Sequence, residues 1–335
     1  MSHEAQWYNT LNDLRVQCVL CPHNCILGEG KTGICRVRKN RDGKLLTEVY
    51  GFASAIHTDP IEKKPLYHFH PGSSILSLGT YGCNLRCSFC QNASISQTGA
   101  DSSLPRMYKT TEQIVQAALN VPGNIGIAFT YNEPAVWFEY MSDIAKLAKK
   151  SGLKTVMVTN GYINKEPLLA LLEYIDAFSV DLKAFTEDFY KEQTSSELEP
   201  VKENLRQISL AGKHLEIVNL LIPGLNDSEN DFETMVKWIA RELGKKTVLH
   251  ISRYFPSYKL AIEPTSASAI QRAKSIAKKE LLYVYAGNMQ DENNDTHCLN
   301  CNNVLISRYL YHTYTAGLDK EGRCRACGEY FLKKT

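Results

Sequence analysis

Eleven residues, Gly82-Cys83-Asn84-Leu85-Arg86-Cys87-Ser88-Phe89-Cys90-Gln91-Asn92, bring three thiols together within a span of eight positions. Thiolates are soft ligands that select iron–sulfur clusters, zinc or Cu(I), and a [4Fe-4S] cluster normally takes four of them. Because only three cysteines lie close together here, a loop with this spacing would leave one iron without a protein ligand. Such an iron is open to a substrate or cofactor, so the stretch predicts a chemically active iron–sulfur site.

The spacing Cys-x3-Cys-x2-Cys, with Phe89 directly before the last cysteine, resembles the signature of the radical S-adenosylmethionine (SAM) superfamily. The alternatives are a thiol-rich loop or half of a zinc site, and neither accounts for both the spacing and the aromatic residue. The resemblance implies that Cys83, Cys87 and Cys90 hold a [4Fe-4S] cluster whose fourth iron is chelated by SAM. It also implies reductive cleavage of SAM to a 5'-deoxyadenosyl radical, which abstracts hydrogen from a substrate.

Composition excludes several other classes of protein. With 335 residues, 44% of them hydrophobic, the chain can bury the core of one barrel plus appendages. A net charge of +2 gives no general attraction to nucleic acid or membranes. Residues 1–14 lack the apolar core of a signal peptide, and no run of about 18 apolar residues occurs. We therefore expect a cytoplasmic enzyme with neither nucleic acid nor a membrane as partner.

The eleven cysteines fall into groups of four, three and four, which in a reducing compartment indicates metal ligands rather than disulfides. The N-terminal group is Cys18, Cys21, Cys25 and Cys35, in a small module over residues 1–50. Its uneven spacing fits either zinc or a second cluster. The C-terminal group is Cys298, Cys301, Cys324 and Cys327, two Cys-x2-Cys pairs over residues 291–335. These pairs predict a zinc-ribbon-like module with a structural zinc site.

Two segments lie between the first quartet and the predicted barrel. A basic run follows the quartet and contains Arg36, Arg38, Lys39, Arg41 and Lys44. Such a run usually forms a solvated hairpin face, and binding of an acidic partner is the alternative. Residues 51–74 are polar and interrupted by prolines, which predicts an ordered connecting loop. The histidines of this segment, His57, His68 and His70, either hydrogen-bond locally or face a reaction centre.

From residue 75 onward, short apolar runs alternate with stretches of helical periodicity. The predicted strands are 75–79, 125–130, 155–159, 177–181, 215–222 and 247–251, and helices are predicted at 111–119 and 135–150, among others. A further helix at 266–279 and a strand at 282–285 complete the pattern. Alternation of this kind predicts parallel strands joined by right-handed crossovers. We therefore expect an α/β fold, a partial (β/α)6 TIM-type barrel over residues 75–290.

Polar residues follow every predicted strand, at the barrel end where active sites form. These loops resemble those with which the pyruvate formate-lyase activating enzyme group holds SAM. The resemblance assigns Tyr131, Asn132 and Glu133 to the SAM amino group, although the two glycines of the family pattern are absent. It further assigns Asn160 to the ribose, Asp181 and Lys183 to the carboxylate, and Phe89 and Asn92 to the adenine. A simple ion pair at the rim is the alternative for Asp181 and Lys183.

A resemblance over nearly the whole chain concerns the radical SAM protein of the AmmeMemoRadiSam system. It rests on the N-terminal cysteines, 59–66, 90–92, 130–134, 159–162 and the final cysteine pairs. It implies a Memo-like and an AMMECR1-like protein as partners, together with a low-potential electron donor, flavodoxin or ferredoxin. The substrate stays open. Hydrogen abstraction from a protein glycine, as in activating enzymes, is the first reading, and the alternatives are a small-molecule substrate or a metal-dependent binding module without turnover.

Overall fold

The computed structural model describes residues 3–99, 107–289 and 294–332. Its centre is an eight-stranded sheet whose strands are neighbours in chain order. The strands are β1 (Ala55–Pro60), β2 (Ser74–Gly79), β3 (Asn124–Phe129), β4 (Lys154–Thr159), β5 (Ala177–Asp181), β6 (His214–Leu221), β7 (Val248–Arg253) and β8 (Val284–Gly287). Strands β2 to β8 are parallel, and β1 and β8 form the two edges. The predicted α/β fold with a partial barrel is therefore confirmed.

The seven parallel strands coincide with the predicted apolar runs to within about two residues at each end. In β3, for example, Ile127, Ala128 and Phe129 are all fully buried. Strands of a parallel sheet are covered on both faces, so they form continuous apolar runs rather than alternating patterns. That property made these strands visible in the sequence.

Strand β1 corrects the prediction of a loop over residues 51–74. It pairs antiparallel with β2, with Ile56 opposite Leu78 and Asp59 opposite Ile75. The strand lies at the edge of the sheet, where His57 and Thr58 are exposed and Pro60 ends the pairing. Edge strands tolerate charged residues and proline. The apolar run that identifies a central strand is therefore missing here.

Six longer helices connect the parallel strands: α1 (Thr111–Leu119), α2 (Phe138–Lys150), α3 (Lys165–Leu172), α4 (Leu198–Leu210), α5 (Glu229–Glu242) and α6 (Ala267–Ala277). Shorter segments are the helices Ala93–Ser96 and Glu187–Phe189, the 3-10 turns Ile61–Lys63 and Pro134–Trp137, and the π-helical turn Tyr190–Thr194. Helix α1 matches its prediction and starts with a capping box between Thr110 and Gln113. Helix α2 begins later than predicted because Pro134 opens a 3-10 turn. No helix in the described ranges is long and apolar enough to cross a membrane.

The N-terminal module consists of two small antiparallel sheets. One contains Tyr8–Thr10, Val16–Cys18 and Ile26–Leu27, and the other contains His3–Glu4, Arg38–Arg41 and Lys44–Thr47. A further pair joins Phe52–Ala53 to Met107–Tyr108. The module is fixed to helix α2 by an ion pair between Arg38 and Glu139, 3.0 Å long and fully buried. Arg38 is thus an exception to the solvated face predicted for the basic run.

The C-terminal module contains the strands Thr296–His297, Val304–Tyr309 and His312–Tyr314. Its predicted boundary between residues 290 and 291 lies outside the described residues. Arg308 anchors the module to the barrel, since its guanidinium donates to the Tyr67 carbonyl at 2.7 Å and lies over the Tyr67 ring. The module therefore packs against the segment that precedes β2.

Candidate active site

The carboxyl ends of the parallel strands surround a cavity of about 370 Å³. Every residue that the sequence assigns to cluster or SAM binding lines it, namely Cys83, Cys87, Phe89, Cys90, Asn92, Tyr131, Asn132, Glu133, Asn160, Asp181 and Lys183. A larger cleft of about 760 Å³ lies elsewhere, between residues 68–71 and the C-terminal module. We place the chemistry in the smaller cavity because it holds the three thiols of the signature loop.

The signature loop between β2 and the helix Ala93–Ser96 is held in place by neighbouring backbone. Its Arg86 and Ser88 N–H groups donate to the carbonyls of Thr194 and Gln193, at 2.8 and 3.0 Å. On the other side, the Asn132 side chain donates to the Gly82 carbonyl at 2.8 Å. Gly82 has a φ of +85°, which favours glycine at that position. The protein itself therefore fixes the loop conformation.

The three thiols suit a cluster with one open iron. Cys87 is buried and Cys83 and Cys90 are partly buried, and no other cysteine of the described residues lines the cavity. The Cys83 sulfur accepts a hydrogen bond from the Leu85 N–H at 3.3 Å, a contact that also stabilises a thiolate. Burial raises the pKa of the Cys87 thiol to about 11, although Lys183 opposes the shift. Binding of iron would replace these protons.

Glu133 is the most unusual group in the cavity. Its carboxylate is 2% exposed and accepts hydrogen bonds from the Thr159 hydroxyl at 2.7 Å, the Asn160 N–H at 2.8 Å and the Ala135 N–H at 3.0 Å. It forms no ion pair within the described part of the chain. Burial raises the pKa of Glu133 to about 7, despite these three donors. A buried carboxylate without a cation is ready to accept one from a ligand.

Tyr131 and Asn132 occupy the positions of the missing glycines and have structural contacts of their own. Tyr131 has a φ of +71°, a left-handed conformation that is strained for a tyrosine. Its hydroxyl donates to Asp59 at 2.8 Å, and this contact helps to retain the conformation. Asn132 accepts from the Thr80 N–H at 3.0 Å as well as holding Gly82. Asn132 thus positions the signature loop, a role that the sequence did not indicate.

Asp181 and Lys183 follow β5 and form an ion pair of 2.9 Å. Burial would lower the pKa of Lys183, but the negative charge and the hydrogen bond of Asp181 outweigh burial and raise it. The ammonium also lies 5.9 Å from the centre of the Phe89 ring. Lys183 is therefore a fixed positive charge beside the thiols. It can attract the carboxylate of a ligand there.

Two predicted asparagines are already bonded within the protein. Asn92 donates to the Tyr131 carbonyl at 2.7 Å. Asn160 donates to the Asn84 side chain at 2.9 Å and lies 3.7 Å from the Cys83 sulfur. Both residues therefore connect the signature loop to the ends of β3 and β4. Their predicted contacts with adenine and ribose stay predictions.

The segment before β2 contributes a charged group that sequence reasoning missed. Lys64 lines the cavity, is 3% exposed as a residue and pairs with Asp59 at 2.8 Å. Burial alone would raise the pKa of Asp59, but the hydrogen bond and charge of Lys64 outweigh it, so this pKa is lowered. Lys63 lies at the same edge, 3.5 Å from Asp59. The segment was noted only as part of a resemblance, because β1 was not recognised.

The two cysteine quartets differ in geometry. In the C-terminal quartet the ligand sulfurs all lie within 4.8 Å of one another, with Cys298–Cys327 at 3.6 Å and Cys301–Cys324 at 3.7 Å. Four sulfurs around one zinc at about 2.3 Å lie about 3.8 Å apart. This quartet therefore fits a single tetrahedral ion. Among the described residues, neither the N-terminal thiols nor the signature thiols form a group as close as this one.

A mostly parallel sheet with a three-thiol loop and a buried, unpaired carboxylate at its carboxyl end fits an iron–sulfur cluster beside a ligand that carries a positive charge. Residues 77–239 match the family model described as the radical SAM superfamily. An uncharacterized protein of Methanocaldococcus jannaschii is 42% identical over 97% of this chain and 98% of its own length. Residues 77–239 therefore form a radical SAM domain. Iron–sulfur and SAM chemistry follow from that domain.

More distant similarities agree with the fold. The pyruvate formate-lyase-activating enzyme of Clostridium pasteurianum is 27% identical over 47% of this chain and 66% of its own length. The crystal structure of a radical SAM methyltransferase from Sphaerobacter thermophilus has a TM-score of 0.51 at 16% identity. It covers 65% of this chain and 67% of that chain. The methyltransferase supports the fold alone, and the activating enzyme is a distant homologue.

Proposed function

We propose that this chain binds a [4Fe-4S] cluster and SAM in the 370 Å³ cavity and abstracts hydrogen from a protein substrate, as an activating-enzyme-like oxidoreductase. The observation that carries the proposal is the combination of three thiols and the unpaired carboxylate of Glu133 in one cavity. Held by Cys83, Cys87 and Cys90 and reduced, such a cluster would supply the electron for cleavage of SAM to methionine and a 5'-deoxyadenosyl radical, which would take the hydrogen atom.

Two side chains of opposite charge near the thiols would bind the two charged groups of the amino acid part of SAM. Glu133 would accept hydrogen bonds from the amino group of SAM, because it is a buried carboxylate of the cavity that pairs with no cation in the described part of the chain. Lys183 would attract the carboxylate of SAM, and its pairing with Asp181 holds the ammonium in position. The two charges would therefore hold the amino acid end of SAM beside the three thiols. Burial of both groups strengthens these contacts because water is excluded.

Two observations support a protein substrate over a small molecule. The first is the distant homology to an enzyme named for activating pyruvate formate-lyase. The second is the cavity volume, about 370 Å³, at the lower end of the range for small-molecule sites. A cluster and SAM would fill much of that space, so the hydrogen donor would have to reach in from the mouth. An extended segment of a protein, with glycine as the hydrogen donor, suits such an opening.

The substrate class can be tested by deuterium transfer. Reconstituted and reduced protein is incubated anaerobically with SAM and a Memo-like or an AMMECR1-like partner labelled with deuterated glycine. Mass spectrometry then measures deuterium in the 5'-deoxyadenosine. We expect deuterium from the labelled protein, and no transfer when the same partner carries unlabelled glycine. Transfer from a labelled small molecule, with no transfer from the labelled protein, would favour the alternative of a small-molecule substrate. Absence of any SAM cleavage would favour a binding module without turnover.

We further propose that the C-terminal quartet holds a structural zinc ion. The sulfur distances of 3.6 and 3.7 Å support one ion with four thiolate ligands and no open position. The site is remote from the cavity, so its role is to fold the module.

A further inference from the structure

The cavity contains two cations, Lys63 and Lys64, that the binding of SAM leaves without a role. Both residues of this lysine pair line the cavity together with the thiols of the signature loop. Under the proposed function, Lys183 binds the one carboxylate of SAM, and the ribose and adenine of SAM carry no negative charge. An anion that binds the lysine pair must therefore come from another molecule.

The lysine pair and Lys183 lie on different walls of the cavity. Lys63 ends the 3-10 turn that follows β1, and Lys64 is the next residue. Lys183 follows β5, and the sheet places β2, β3 and β4 between β1 and β5. Neighbouring strands are about 4.8 Å apart, so three intervening strands separate the two walls. The two cationic sites therefore contact different parts of whatever the cavity holds.

Lys64 is buried with most of its hydrogen-bonding capacity unused. Its ammonium donates to the Asp59 carboxylate at 2.8 Å. An ammonium has three N–H donors, and within the described ranges this one has no second acceptor. Its remaining contact is with the Tyr131 ring, whose centre lies 4.9 Å away. A buried ammonium that lacks acceptors is costly, so an anion in the cavity would stabilise it.

Asp59 neutralises only part of the charge of the lysine pair. Its carboxylate lies 2.8 Å from the Lys64 ammonium and 3.5 Å from that of Lys63. No other carboxylate of the described residues forms an ion pair with either lysine. The wall near the thiols has the opposite balance, with two carboxylates and one lysine. The cavity therefore attracts an anion to the lysine pair and a cation to the opposite wall.

Lys63 connects the cavity to the surface of the protein. Its side chain is 42% exposed, although the residue lines the cavity. Its ammonium lies 5.2 Å from the centre of the Tyr311 ring, which belongs to the C-terminal module and is half exposed. Attraction between a cation and an aromatic ring helps to hold this long side chain at the mouth. The lysine pair thus presents one accessible and one buried ammonium to a group that enters from the mouth.

We propose that Lys63 and Lys64 bind a carboxylate of the substrate, the side chain of an aspartate or glutamate beside the glycine that loses hydrogen. The inference rests on the proposed function, because it takes the substrate to be a protein segment. The acid must lie beside the glycine because the lysine pair shares one cavity with the cluster thiols. Charge-assisted hydrogen bonds are stronger than those between neutral groups. The lysine pair therefore selects segments with an acid at this position.

Peptide binding tests the assignment without turnover. Two capped hexapeptides are compared, identical except for a glutamate or a glutamine beside a central glycine. Calorimetry measures their affinity for the full chain, anaerobically reconstituted, unreduced and saturated with SAM. We expect the glutamate peptide to bind at least about tenfold more tightly, as a hydrogen bond between charged groups predicts. Lys63→Gln should reduce this preference to about twofold or less, whereas Lys63→Arg keeps the positive charge and should retain most of it.

The matched control is Lys237→Gln, which changes a lysine of helix α5 that is 57% exposed and lies outside the cavity. It should keep the wild-type preference. Lys64→Gln should lose the preference as Lys63→Gln does, and the exposed Lys63 keeps the test valid if the buried change prevents folding. A wild-type chain that binds both peptides equally, or binds neither, would overturn the proposal. An undiminished preference in Lys63→Gln would overturn it as well.

A separate assay of SAM cleavage distinguishes failure of this inference from failure of the proposed function. If the reduced wild-type chain forms 5'-deoxyadenosine and the peptides bind without preference, the carboxylate site is refuted and the radical chemistry stands. If the preference is present and depends on Lys63, but no 5'-deoxyadenosine forms, the proposed function fails and the carboxylate site stands.

Discussion

The two ends of the chain each contribute four cysteines, yet they fold them in different ways. At the C-terminus the sulfurs close to 3.6 and 3.7 Å, and two of the four cysteines are exposed. At the N-terminus three of the four cysteines are buried, and the His23 ring of this module bonds the Asn84 carbonyl of the signature loop at 2.8 Å. The number of thiols alone therefore does not identify a metal site. The short sulfur distances at the C-terminus, and the burial and neighbours of the thiols at the N-terminus, distinguish the two quartets.

The largest effect is expected when one C-terminal ligand is removed, and it tests whether the two ends of the chain bind metal independently. Cys324→Ala should abolish zinc binding and unfold the module, because a structural zinc contributes on the order of 10 kcal/mol to small zinc domains. Iron content and the spectrum of the reduced signature cluster should stay unchanged. Metal analysis and proteolysis of residues 294–332 measure the two effects. Loss of iron together with zinc would show that the two ends are not independent.

A second prediction concerns how the N-terminal module is attached. Arg38→Met leaves Glu139 buried without its cation, and we expect a loss of about 3 to 5 kcal/mol in the free energy of unfolding. The matched control is Arg41→Met, which breaks an ion pair whose arginine is half exposed, and should cost at most about 1 kcal/mol. Urea unfolding of both variants checks the difference. Equal losses would show that the buried pair does not fix the module.

The smallest expected effect is on SAM affinity, and it distinguishes Glu133 in the cavity from a buried carboxyl outside it. Glu133→Gln should weaken SAM binding by about 1.5 to 3 kcal/mol, the contribution of a hydrogen bond to a charged group. Because the pKa of Glu133 is raised to about 7, wild-type binding should tighten as the pH rises from 6 to 8 and the carboxylate ionises. The variant should lose this dependence.

The control for Glu133 is Glu62→Gln, a buried carboxyl outside the cavity whose pKa is also raised by burial. SAM affinity measured by equilibrium dialysis should be the same in this variant and in wild type. The stability of the protein and its affinity for SAM should change with pH in opposite directions. Because the pKa of Glu133 is raised in the folded state, its contribution to the free energy of unfolding is lost as the pH rises through that pKa. A Glu133→Gln chain that binds SAM with the wild-type pH profile would refute the assignment.

The sequence predicts the barrel well because its strands are buried on both faces. It misses β1, since an exposed edge strand with His57, Thr58 and Pro60 lacks an apolar run. It also treats Arg38 as solvated, because the partner Glu139 lies 101 residues away in the chain. Both errors concern groups whose environment is set by distant parts of the molecule. Local sequence patterns do not indicate contacts between residues that are far apart in the chain.

In the candidate site, too, some features were predicted from the sequence and others were not. The residues that line the cavity were predicted because parallel strands bring their carboxyl ends together. The roles of some residues were not predictable. The Asn132 side chain, for example, forms hydrogen bonds with the Thr80 N–H and the Gly82 carbonyl. Lys64 was missed because its position depends on β1. Strand order can be inferred from a sequence pattern, whereas the partner of a single polar side chain cannot.

The most direct test of the central claim is SAM cleavage by three matched chains. Anaerobically reconstituted, dithionite-reduced wild type should form 5'-deoxyadenosine and methionine in equal amounts. Cys87→Ala should form neither, because the cluster loses a ligand, whereas Cys324→Ala should match wild type, because its thiol belongs to the remote quartet. A wild-type chain that binds SAM and forms no 5'-deoxyadenosine, or a Cys87→Ala chain as active as wild type, would contradict the account.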